Sequence, residues 1–127
     1  MERKVERRWD THSAVIANGA AVSTAVVMGG GSLVAILVPS AWTAAALTFE
    51  ASFDGGTTWR PVFDDGAAEV TISSANMTTL TGGNRAVVAA SVLNKLAGLT
   101  MFRLVSGVAG TNVNQGAART FAVITKA

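Results

Sequence analysis

Polar and apolar residues alternate most cleanly between Leu47 and Phe63, in the stretch LTFEASFDGGTTWRPVF. Leu47, Phe49, Ala51 and Phe53 fall on one face and Thr48, Glu50 and Ser52 on the other, the period-2 pattern of a half-buried strand. A second run sets Trp59, Pro61 and Phe63 on one side. Between the runs, Asp54-Gly55-Gly56 offers positive-φ positions and a short acceptor side chain, so the pattern predicts a β-hairpin.

The same reading, carried along the chain, yields mostly short strands. Thr11 to Ile16 and Val22 to Met28 flank the turn dipeptide Asn18-Gly19 and predict a first hairpin. Leu33 to Val38 is continuously apolar before Pro39, as in a strand buried on both faces. Glu69 to Ile72 alternates, Ser73 to Asn84 reads as a polar loop, and Arg85 to Ala89 resumes an apolar run. Ser91 can cap one short helix through Val92 to Leu96, stopped by Gly98. Leu99 to Ser106 is a strand whose core face the pattern leaves open, Gly107 to Ala117 a loop, and Arg119 to Thr125 a closing strand. About eight or nine such strands predict an all-β fold, an antiparallel β-sandwich of jelly-roll-like type with one short helix.

Composition narrows the function classes. The chain has 127 residues, of which 50% are hydrophobic and 14% charged, with 13 Gly and no Cys. That size suits one domain, and the scarcity of charge suggests surface covered by neighbours. Without cysteine there is no disulfide framework and no thiolate metal site. The net charge of +2 resides in Met1 to Arg8, where Arg3, Lys4, Arg7 and Arg8 outnumber Glu2 and Glu6. From Trp9 onward Arg60, Arg85, Lys95, Arg103, Arg119 and Lys126 balance Asp10, Glu50, Asp54, Asp64, Asp65 and Glu69. A neutral body lacks the clustered cations that release counterions from nucleic acid, so no nucleic-acid partner is expected. The interrupted apolar runs predict no membrane partner and no signal peptide. The expected organisation is an extended N-terminal arm, residues 1–10, followed by a single β-sandwich domain, residues 11–127. Arg3, Lys4, Arg7, Arg8 and Trp9 are the candidate contacts of that arm with a partner.

Catalytic chemistry finds little support. His12 is the only histidine and has Thr11 and Ser13 as neighbours, so a triad or histidine-rich metal site lacks partners. Asp64 and Asp65 precede Gly66 in a turn, where aspartate binds its own backbone. With Asp54 they match no calcium-loop spacing. Gly29-Gly30-Gly31-Ser32 lacks the lysine of a phosphate-cradling loop. The reading is a non-enzyme with no catalytic, metal or cofactor-binding residues and no cofactor. Trp42, Phe49, Phe53, Trp59 and Phe63 crowd one region, as core packing or as a sugar platform.

Two resemblances attach to particular residues. Ser52-Phe53-Asp54-Gly55-Gly56-Thr57-Thr58-Trp59 reads S-x-D-x-G-x-T-W and resembles the Asp-box hairpin of sialidase-type propellers. The likeness implies a structural turn of Ser52, Asp54, Gly56, Thr58 and Trp59, in which the aspartate binds backbone amides and the aromatic packs beneath. A single copy argues against a propeller, whose blades repeat the signature every 40–50 residues or so. Pro39 to Ala45, the Asp-box segment and Val113 to Arg119, within residues 33–125, are similar to tailed-bacteriophage capsid decoration (cement) proteins. That resemblance implies a structural virion protein, made in the host cytoplasm, that forms a homotrimer and binds the major capsid protein on the capsid surface. The alternatives are a carbohydrate-binding β-sandwich module of a fibre or surface protein, with Trp42 as an exposed platform, or a neck or tail structural protein.

Overall fold

The computed structural model of the protein describes residues 9–29, 31–88, 95–96 and 98–126. Its strands are β1 (Trp9–Ile16), β2 (Val26–Val27), β3 (Ser32–Leu37), β4 (Leu47–Ala51), β5 (Arg60–Pro61), β6 (Ala86–Val87), β7 (Met101–Val108), β8 (Thr111–Asn112) and β9 (Arg119–Lys126), and helix α1 spans Ser74–Gly82. They form two antiparallel sheets, β1-β9-β3-β6 and β2-β7-β4-β5, with β8 paired to β7. The fold is an all-β sandwich.

The pairing is nested. β4 pairs with β5, β3 with β6, β2 with β7 and β1 with β9. Further pairings of β3 with β9 and β4 with β7 wind this ribbon on itself. Ala14, Ile16, Ile36, Phe121 and Val123 of the first sheet and Val26, Leu47, Phe49, Phe102 and Leu104 of the second are buried in one core. Phe49 and Phe102 meet edge to face with centroids 6.4 Å apart, a geometry the ring quadrupoles favour. In β7 the core face is therefore that of Phe102, Leu104 and Ser106, while Met101 and Arg103 lie half-buried on the outside.

Several expectations are corrected by the layering. The first hairpin does not form as a ladder of its own: β1 pairs along its length with β9, and an isolated Ile16–Ser23 bridge and the bonds between Val15 and Thr24 join it to the following segment. After that bridge the chain crosses to the other sheet, where Val26 stands opposite Phe102. Trp9 and Asp10, expected to end the arm, open β1 opposite Lys126 and Thr125. β3 is not buried on both faces. Its register shifts between Leu33 and Ala35, and Leu37 is 40% exposed, since among the described residues no third layer covers that sheet.

The loop expected at Ser73 to Asn84 is a helix. Ser73 caps it, its side chain accepting from the Asn76 amide at 3.2 Å. Ile72 just before the cap and Met77 at the fourth helical position are both buried, the positions of a hydrophobic staple. The hydroxyls of Thr78, Thr79 and Thr81 donate to carbonyls one turn back, so threonines that favour loops in isolation are satisfied within the helix. Of the short helix expected over Val92 to Leu96, Lys95 and Leu96 are helical; Ser91 to Asn94 lie outside the described residues.

Candidate interaction surface

The β4–β5 hairpin forms around the predicted turn, with Glu50 opposite Pro61 and Ala51 opposite Arg60. This register puts Val62 behind Phe49, whose carbonyl accepts the Val62 amide at 3.0 Å. Trp59, Pro61 and Phe63 share a side, as expected, and it is the outer one. The strand ends at Ala51, so alternation lapses there and Phe53 is 76% exposed. Thr48 and Ser52, expected on a solvated face, are buried. The Thr48 hydroxyl donates to the Gly107 carbonyl at 2.7 Å.

Ser52, Asp54, Gly56, Thr58 and Trp59 come together in one turn. The Ser52 hydroxyl accepts the Gly56 amide at 2.8 Å and donates to Asp54 Oδ1 at 2.9 Å. The same carboxylate oxygen accepts the Thr58 amide at 2.8 Å, and the Trp59 indole N–H reaches the Gly56 carbonyl at 3.0 Å. Gly55 and Gly56 have φ of +73° and +94°, where a side chain would be strained. The Thr58 amide, with the Thr58 and Ser52 hydroxyls, holds the Asp54 carboxyl below its ordinary value. Because the folded value is the lower one, the stabilisation is present above the unfolded value and lost as pH falls through the folded one. The NMR shift of the Thr58 amide should therefore stay flat as pH falls to about 3.8, the ordinary carboxyl value, and move only below it. A transition at higher pH would show that Asp54 does not hold the turn.

Trp59 is covered from the sheet side. The Arg103 guanidinium lies 4.2 Å from its ring centroid, and Arg103 pairs with Glu50 at 2.7 Å. Cation and aromatic attract through the ring quadrupole, and the carboxylate fixes the cation. Val27, Met101, Arg103, Trp59, Pro61 and Phe63 thus lie across the outside of the second sheet. Val27 is 53% and Phe63 50% exposed. Beside them Phe53, Asp54, Thr58 and Arg60 line an open depression of about 230 Å³, below the roughly 300–1,000 Å³ usual for small-molecule sites.

The other sequence candidates have structural occupations. His12 Nε2 lies 3.0 Å from Thr125 Oγ1. Asp64 Oδ1 accepts the amides of Gly66 and Ala68, and Asp64 also pairs with Lys95 at 3.1 Å. The Ala68 amide, followed by Lys95, holds its carboxyl below the ordinary value. Trp42 is not an exposed platform: it stacks edge-on against Phe121 at 5.5 Å, and its indole N–H is bound by the Ala45 carbonyl at 2.9 Å. Among the described residues no group of three or more His, Asp or Glu converges as a metal site needs. Arg3, Lys4, Arg7 and Arg8 lie outside the described residues; Trp9 is 57% exposed, with Lys126 Nζ 5.6 Å from its ring centroid.

Sequence reasoning missed Gln115, placed in a polar loop and in fact 1% exposed. Its Oε1 accepts the Thr43 amide at 2.8 Å and Arg119 Nε at 3.0 Å. Its Nε2 donates to the Thr43 carbonyl at 3.1 Å and to Ser106 Oγ at 2.8 Å. Gln115 thereby joins two segments singled out in the sequence, Pro39 to Ala45 and Val113 to Arg119. No local pattern marks such a residue. Comparison with protein-family models, with curated proteins and with solved structures returns no match for the chain.

Proposed function

We propose that this chain is a structural virion protein that binds the outside of a phage capsid, contacts the major capsid protein and stabilises contacts between capsid subunits. The observation that carries the reading is the outer face of the second sheet. Trp59 and Arg103, residue types that dominate binding energy at interfaces, sit there among exposed Val27, Pro61 and Phe63. The nested strand pairing supports reading the sandwich as a jelly roll of two interlocked Greek keys. The low charge of the chain fits a role in which surface is covered, and several joined copies would gain avidity from individually modest contacts.

Mixing the purified protein with expanded empty capsids and sedimenting them tests this: saturable co-sedimentation is expected, and its absence overturns the reading. Deleting residues 1–8 should weaken binding several-fold while leaving the circular dichroism of the sandwich intact. Unchanged binding would remove Arg3, Lys4, Arg7 and Arg8 from the contact. A neck or tail position predicts about a dozen copies per particle where decoration predicts hundreds.

One observation favours a second reading as a carbohydrate-binding module. Phe53 projects beside Asp54, Thr58 and Arg60, an exposed aromatic next to polar groups. A glycan array with a Phe53→Ala control separates the two, since a capsid-binding protein shows no sugar dependence.

A further inference from the structure

The sheet edges are unequal. β2, β5, β6 and β8 are edge strands of two residues each, and β5 carries Pro61, which has no amide to offer. Among the described residues the remaining edge strand is β1, which runs for eight residues. A long open edge is a template for another strand, and short edges or proline are the usual protections.

The hydrogen bonds of β1 show which groups are open. The Thr24 amide donates to the Val15 carbonyl at 3.0 Å, and the Val15 amide donates to Thr24 Oγ1 at 3.0 Å. Val15 thus turns both backbone groups away from β9. The β1–β9 register is continuous from Trp9 to Ile16, so residues of the same parity, Trp9, Thr11 and Ser13, also turn theirs outward. Thr24 closes the edge at Val15. The open groups are then centred on Thr11.

We infer that β1 pairs antiparallel with β1 of a second copy about a twofold axis at Thr11. In this register Thr11 faces Thr11 and Trp9 faces Ser13 of the second copy, each pair exchanging both backbone bonds. It uses every outward group from Trp9 to Ser13, and a shift along the edge leaves some unpaired. The register also sets Asp10 opposite His12 of the second copy, twice by symmetry, in the closer non-hydrogen-bonded positions. Both side chains lie on the strand face that carries Ala14 and Ile16. Opposite charge across a strand pair is favourable when the imidazole is protonated, and like charge is not. The isologous contact closes with two chains and extends each first sheet into one shared by both. It does not rest on the virion reading.

The experiment uses the full chain, whose lack of cysteine makes introduced thiols unique. Light scattering at high micromolar concentration should give twice the chain mass. Directly opposed hydrogen-bonded residues have Cα atoms about 5.5 Å apart, within the span of a disulfide, about 4.4–6.8 Å. Mild oxidation should therefore link Thr11→Cys chains into dimers. Ser13→Cys chains should stay unlinked, since the two Ser13 positions are about 14 Å apart, four residues along the strand and one strand spacing across. Asp10→Lys, at an exposed position, should weaken the dimer tenfold or more while leaving the fold unchanged. A monomer at all concentrations overturns the inference. So does a trimer in which Thr11→Cys fails to link, or equal linking of Ser13→Cys.

Discussion

Gln115→Leu should lower the stability of the sandwich by roughly 3–5 kcal/mol and its Tm by on the order of 10 °C. The substitution keeps most of the side-chain volume and removes every polar atom. It strands the amide and carbonyl of Thr43 and the buried Ser106 hydroxyl, which Gln115 now satisfies. A buried donor or acceptor left without a partner costs about 1–3 kcal/mol. The loss should be structural as well as energetic. The Gln115 carbonyl accepts the Gly19 amide at 2.8 Å and its amide donates to Ala20 at 2.8 Å, so the turn after β1 rests on the same loop. Gln115→Glu provides the control. It has the same shape, but its carboxylate would face the Thr43 carbonyl with no proton to donate. It should be destabilised about as much as the leucine variant at neutral pH. If both variants melt within about 2 °C of the parent, the network is ornamental.

Gly107→Ala should lower the urea midpoint by an amount equivalent to about 3 kcal/mol or more, with the denaturant slope unchanged. Gly107 sits in β7 at φ +106°, where a side chain is strained. An added Cβ would collide with the Thr111 carbonyl oxygen and lie 2.9 Å from the Val113 nitrogen and 3.0 Å from the Asn112 Cα. All three are backbone atoms of the strand folding back on β7, so relief requires moving β8. The displacement would also disturb the Gly107 amide bond to the Ala46 carbonyl, at 2.8 Å, and the buried Thr48 hydroxyl. Gly110→Ala isolates the conformational part, because Gly110 has φ +81° and nothing within 4 Å of its added Cβ. It should cost about 1 kcal/mol. Equal losses for the two variants would show that crowding at Gly107 is absent.

What was legible in the sequence followed from local rules. Leu47, Phe49 and Ala51 alternate because one face of β4 packs on Phe102 and Leu104, and Asp54-Gly55-Gly56 marks a turn because few other residues adopt those φ values. The unread parts depend on neighbours remote in sequence. α1 reads as a loop from sequence because Thr78, Thr79 and Thr81 have weak helix propensity, although Ile72, Ser73 and Met77 already carry the spacing of a cap and its hydrophobic staple. Thr48 and Ser52 alternate as solvated residues and are buried because the Gly107 turn and the Asp54 loop fold over them. Gln115 is read correctly only when Thr43 is known to stand beside it. The outer face of the second sheet was similarly out of reach, since Arg103 meets Trp59 through pairings across β4.

The place of β9 governs how this chain emerges from the ribosome. It is drawn from near the end of the sequence, yet it lies between β1 and β3, so two early strands wait, unzipped, for a partner synthesised about a hundred residues after the first of them. Topologies dominated by such distant pairings close slowly, and nascent chains with open strands are prone to join one another. Expression at low temperature, with slower synthesis and a holdase present, should therefore raise the yield of native protein more than any change to the hairpin at its middle.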